Sequence, residues 1–199
     1  MPEPAKKIGY YVGVLDLYYA IMTQEDTATA KPVYATPAVL GKNIKTKVTP
    51  KASETRLDAS DVAVRHTSTI DSYILTITVD QVVSAVRAAL LGRTVDANGV
   101  EIIKGMPNAP YVAVGFARTL DNGEKELWWL YKGKFSEMEM DGETKGQQIK
   151  YQTPTLTATF DRRTCDDQLM AVLDTGSEVV GAKEAAANWF SAVYETNKE

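Results

Sequence analysis

Residues 110–135 read PYVAVGFARTLDNGEKELWWLYKGKF, and the organisation of the chain follows from them. The run 110–120 is rich in β-branched and aromatic residues and almost wholly apolar, which predicts a buried strand. Asp121-Asn122-Gly123-Glu124 supplies an Asn-Gly turn in which both central residues can adopt positive φ. The run 125–135 is then the returning strand of a hairpin. Successive strand residues point to opposite faces, so Trp128 and Trp129 cannot share one stacking platform. Trp129 falls with Leu127, Tyr131 and Phe135 on a core face. Trp128 falls with Glu126, Leu130, Lys132 and Lys134 on a mixed face, suited to cover by another element or another subunit.

The same period of two recurs on either side. SYILTITVD (72–80) sets Tyr73, Leu75, Ile77 and Val79 against Ser72, Ile74, Thr76 and Thr78. NIKTKVT (43–49) alternates Ile44, Thr46 and Val48 with Lys45, Lys47 and Thr49, a half-exposed strand. IGYYVGVL (8–15) follows two lysines but is broken by Asp16, and reads as a first strand region rather than a leader. Asn98-Gly99 marks a second turn. QIKYQTPTLTATFDRR (148–163) places Thr153, Thr155, Thr157 and Thr159 on one face, and Pro154 predicts an edge strand or a bulge. Two stretches have helical spacing instead. In 80–92, Asp80 is placed to cap, Val82, Val83, Val86, Ala89 and Leu90 form a stripe, and Gly92 stops the helix. Near the C-terminus, a helix is expected over about 182–195, with Ala185, Ala186, Trp189, Phe190 and Val193 on one side. TPKASETRLDASD (49–61) is polar and unpatterned, and predicts an extended loop. The expectation is one mainly β domain over 1–199 with flanking helices.

The chemistry the sequence offers is sparse. The 199 residues are 44% hydrophobic and 24% charged, a globular profile, and the net charge of −4 argues against general affinity for phosphate. Nothing approaches the ~18 apolar residues of a membrane span. Cys165 is the single cysteine, so no disulfide forms within the chain, and its neighbours Arg162, Arg163, Asp166 and Asp167 pull its pKa both ways. His66 is the single histidine and has no partner in sequence for a zinc site or a Cys–His pair. Glu137, Glu139, Asp141 and Gly142 imitate the start of a calcium loop, but Gln148 stands where its bidentate glutamate belongs. No Gly-rich phosphate loop or nucleophile elbow is present. No catalytic residue, cofactor or metal ligand is therefore expected. The pattern describes a β-rich domain that binds copies of itself or a partner.

Several stretches together resemble a family, the major tail proteins, or tail tube proteins, of long flexible-tailed bacteriophages (siphoviruses). They are VGVLDLYYAIMT (12–23), YATPAVLGKNIKTKVTPKASETRLDASD (34–61), ALLGRTVDANGVEI (89–102), the hairpin 110–135, TPTLTATFDRR (153–163) and the terminal WFSAV. Their order and spacing carry the likeness. The resemblance implies a β-sandwich or barrel subunit with a flanking helix and a long inter-subunit loop. It implies hexameric rings stacked into a hollow tube, with DNA passing through the lumen without specific binding. Tape measure, tail terminator and distal tail or baseplate proteins are implied partners, and the virion tail the location, reached by assembly in the host cytoplasm. In that setting Lys51, Arg56, Asp58 and Asp61, with Glu54, would contact a neighbouring ring, and Trp128 a neighbouring subunit. Two other classes fit the sequence: an OB-like nucleic-acid-binding protein, which needs a basic groove, and a small hydrolase, which needs a deep polar pocket.

Overall fold

The computed structural model describes residues 9–59, 62–105, 108–138 and 151–196, with backbone pairing alone for 55–59 and 62–67. In chain order the first strands are β1 (Tyr11–Val14), β2 (Leu17–Gln24), β3 (Val33–Tyr34), β4 (Ala38–Gly41), β5 (Asn43–Ala59) and β6 (Val62–Val79). Helix α1 (Ser84–Leu91) follows, then β7 (Thr94–Val95), β8 (Glu101–Ile102), β9 (Val112–Leu120), β10 (Lys125–Phe135), β11 (Thr155–Asp161), β12 (Met170–Asp174) and helix α2 (Ala182–Asn188). The fold is mainly β. Ten strands join one antiparallel sheet along the path β3-β2-β9-β10-β11-β6-β5, with β1 on β9, β12 on β10 and β4 on β2. The short pair β7–β8 stands apart. Among the described residues no helix is long and apolar enough to cross a membrane.

The β9–β10 hairpin forms the centre of the sheet, with Trp129 opposite Gly115 and Leu127 opposite Ala117. Its turn differs in one respect from the expectation. Gly123 takes φ 85°, but Asn122 keeps an ordinary negative φ. Leu120 N–H donates to Glu124 O at 2.9 Å, which closes a three-residue loop ended by a left-handed glycine.

Each face of this hairpin carries its own core. On the inner face, Leu75, Ile77 and Val79 of β6 meet Leu156, Ala158 and Phe160 of β11, Val112, Val114 and Phe116 of β9, and Leu90 and Leu91 of α1. On the outer face, Leu127, Trp129 and Tyr131 pack under Trp189 and Val193 from the C-terminal segment. Trp129 is fully buried and donates its Nε1–H to Trp189 O at 2.8 Å. Phe135 is not on the face of Trp129, as simple alternation requires. A register shift between Leu130 and Gly133 turns it inward, into the other core.

Four further expectations are corrected. Residues 49–59 are not a loop: they belong to β5, paired residue by residue with β6 out to Ala59 opposite Val62. The apolar alternation that betrays a strand arises only where one face is buried, and Lys51, Ala52, Ser53 and Glu54 are all exposed. Helix α1 begins after Val83, without a side-chain cap, and Asp80 instead accepts N–H groups from Lys42 and Gln81. Gly92, at φ 62°, does stop α1. Helix α2 ends at Asn188, where a tight turn lets Trp189 and Val193 both reach the sheet. Finally, β11 is an interior strand between β10 and β6. Pro154 stands just before its first residue, so no ladder donor is lost, and its carbonyl accepts from Val79 N at 3.2 Å.

Candidate assembly surfaces

The β5–β6 pair is the longest feature of the molecule, with strands of 17 and 18 residues. Strand β11 follows β6 only from Thr78 to Ser72. There Asp161 ends the strand, and Arg162 donates its guanidinium, Nε at 2.9 Å, to Ile70 O. That side chain terminates the sheet. Beyond it, Ala52–Ala59 and Val62–Ile70 pair only with each other among the described residues. The result is a two-stranded arm, roughly 25 Å long at ~3.3 Å per residue. Neither of its outer edges pairs with another strand among the described residues, and such edges are the usual template for pairing with another chain.

The anticipated contact residues divide between two places. Lys51 is exposed at the foot of the arm, opposite Ser72. Arg56 lies in register with His66 and Asp58 with Ala63, so both stand on the arm; their side chains, like Asp61, lie outside the described residues. Glu139, Asp141, Gly142 and Gln148 lie outside them as well, while Glu137 binds Arg93. Trp128 is far from this in the fold. It is half-buried on the inner face, stacked on Phe116 with ring centroids 5.6 Å apart, and donates Nε1–H to Glu126 at 2.8 Å. The buried part of its ring packs within its own chain.

A second surface escaped the sequence reading. The outer face of the sheet carries a core over β9, β10 and β12, whereas over β11, β6 and β5 the described residues present a polar surface. Thr155, Thr157 and Thr159 lie beside Thr78, Thr76 and Ile74, which lie beside Lys45, Lys47 and Thr49. Lys45, Lys47 and Lys51 are exposed, as are Thr155 and Thr159. The signal was present, since lysines alternate along 45–51 and threonines along 155–159. The unknown was which strands would lie side by side.

Elsewhere the polar groups are tied down. Lys132 donates to Asp26 at 2.6 Å in a nearly dry site, and Asp26 also accepts Thr164 N–H. Burial would raise the Asp26 pKa, but the bonds from Lys132 and Thr164 hold it below its ordinary value. Arg163 is fully buried over the Tyr131 ring at 4.1 Å and binds Asp166, Gln168 and Glu195. Burial opposes its charge, yet Asp166 and Glu195 outweigh that and raise its pKa. This clasp fixes the C-terminal segment to the sheet. Burial and the Asp166 carboxylate push the Cys165 thiol up, away from the thiolate a nucleophile needs. Among the described residues no group of three or more His, Cys, Asp or Glu side chains could hold a metal. A groove of about 620 Å³ beside α2 is walled by Tyr18, Leu127, Ala186 and Phe190, with Asp16, Lys125 and Lys183 also lining it.

Compared with protein-family models and with curated proteins, the chain matches none. The geometry of these surfaces must therefore carry the functional reading.

Proposed function

We propose that the chain is a structural subunit of the tail-tube type, which polymerises as stacked hexameric rings into the hollow tail of a long flexible-tailed bacteriophage. DNA would leave the capsid through that tube. The observation that carries this reading is the two-stranded arm, which adds nothing described to the subunit's own core and whose two edges pair with no other described strand. A net hydrogen bond is worth about 1 kcal/mol. A ladder along the arm, repeated around a closed ring, makes stacking cooperative. The charged residues Lys51, Arg56, Asp58 and Asp61 then act in register and partner choice, as rim charges do. In this reading the subunit sheet curls into a barrel, consistent with β1 coming within 8 Å of β5 between Cα atoms. Conduction is passive, and neither a catalytic residue nor a cofactor takes part. Tape measure, terminator and distal tail proteins would meet the tube at its bore and its ends. Negative-stain microscopy of concentrated purified protein is the direct test. Sixfold rings or hollow tubes are the expected result. A protein that stays monomeric by sedimentation and microscopy up to millimolar concentration overturns the reading.

A further inference from the structure

The open outer face of β11, β6 and β5 is neither apolar nor balanced in charge. Lys45, Lys47 and Lys51 stand on the edge strand β5, all exposed, and none has an ion-pair partner among the described residues. The carboxylates nearest the row keep their charge but form no ion pair with these lysines among the described residues. Asp80 accepts backbone N–H groups, and Asp71 accepts the Ser53 hydroxyl. Asp161 shares a cross-strand row with Ser72 and Lys51 but lies two strands away, about 10 Å at the usual strand spacing. A chain of net charge −4 thus gathers three unpaired cations on one face.

We propose that this face contacts the phosphate backbone of double-stranded DNA, weakly and without regard to base sequence. From Lys45 to Lys51 the row runs roughly 20 Å along the strand. That length suits an extended polyanion, not a single phosphate ion. Between the lysines and beyond them lie the hydroxyls of Thr49, Thr76, Thr78, Thr155, Thr157 and Thr159. Ammonium and hydroxyl groups are the side-chain donors that meet phosphate oxygens, and such contacts carry no base readout. A flat strand face cannot enter a groove as a helix does, so contact stays with the backbone. Three charges in one row give low affinity and strong salt dependence. With three phosphates neutralised, log K falls with log salt at a slope of about −2.7, or roughly 40-fold between 50 and 200 mM. The inference goes beyond the tube reading and does not need assembly. If tubes form, a contact this weak lets DNA slide across the face.

The test is fluorescence anisotropy of a labelled 20-base-pair duplex with unassembled protein at 50 and 200 mM salt. Binding at 50 mM that drops roughly 40-fold at 200 mM is expected. K45A/K47A/K51A should weaken it at least tenfold, and K45R/K47R/K51R should retain it. K104A/K125A/K183A, with the same charge change on other surfaces, should stay within twofold of wild type. Circular dichroism checks that each variant folds, and K45Q/K47Q/K51Q replaces the alanine variant if that one does not. No binding at 50 mM, or equal losses in the two charge-matched variants, overturns the proposal. So does binding to phosphatidylserine vesicles without binding to the duplex, or loss of self-association alone in K45A/K47A/K51A by sedimentation. Tube formation by microscopy is scored separately, so each proposal can fail by itself.

Discussion

Removing the arm separates the subunit's stability from its assembly. Replacing residues 52–71 by Asn-Gly joins Lys51 to Ser72, which already face each other across β5 and β6, through a two-residue hairpin turn. None of the buried hydrophobic residues of the described chain lies in the deleted segment. Among the contacts described for the remaining body, the loss is that of the Arg162 bonds to Ile70 O, at a half-exposed guanidinium that water can resolvate. That is worth about 1 kcal/mol. For a chain of this size the melting temperature should fall by about 2–4 °C. Thermal melts by circular dichroism measure the first effect. Microscopy measures the second, and the shortened subunit should form no long tubes. A melting temperature lowered by more than about 10 °C refutes the claim that the arm stands outside the core. Tubes of normal length refute its role in stacking.

Three further outcomes are expected. Trp129→Ala should destabilise the monomer by about 3–5 kcal/mol, since the ring is fully buried between the sheet and Trp189. Trp128→Ala should lose about 1–2 kcal/mol, mostly its stacking on Phe116, and equal losses in denaturant titrations would contradict the two-face assignment. Asp26→Ala strands Lys132 in a nearly dry site and should cost about 3–5 kcal/mol, of which the double variant Asp26→Leu/Lys132→Met should recover most; no recovery would show that Thr164, not the charge pair, is the critical partner. Hydrogen bonds and charge from Arg87 and Arg93 pull the Glu101 carboxyl down to about 2, so its stabilisation is complete above its ordinary pKa of 4.5 and is lost as pH falls toward 2. Melts of wild type and Glu101→Gln should therefore differ at pH 7 and converge only as pH falls to about 2, and a constant gap would rule this linkage out.

What the sequence disclosed and what it hid follow from the same physics. Leu75, Ile77 and Val79, or Leu156, Ala158 and Phe160, alternate with polar residues because one face is buried, so those strands were readable. The Asn-Gly at 122–123 announced the central hairpin for the same local reason, even though the turn closes with one positive φ instead of two. The arm was missed because its pairing lives in the backbone, and the described residues at its base, Ala52, Ser53 and Glu54, are exposed and impose no apolar pattern. Phe135 was misplaced because one bulge inverts every later side chain, and a bulge leaves no mark in the alternation of residue types. The open Thr/Lys face needed knowledge of which strands adjoin. Strand neighbours separated by some 80 residues, such as β11 and β6, are set by tertiary packing and not by local composition.

The cover over Trp129 and Tyr131 also fixes an order in time. It comes from Trp189 and Val193, roughly 60 residues further along the chain, clasped by Arg163 to Glu195. While the protein is being made, the central strand therefore emerges long before its lid. At roughly 5–20 residues per second the stretch from Trp129 to Val193 takes on the order of 3–13 s. Through that interval a fully apolar aromatic patch is open to water and to chaperones. The clasp cannot close before Glu195 has emerged, so the central strand waits without its lid for the whole of that stretch. Residues 52–70 precede Trp129 in the chain, so the arm is made before the lid, and a copy can meet a neighbour through it while its own central strand is still uncovered.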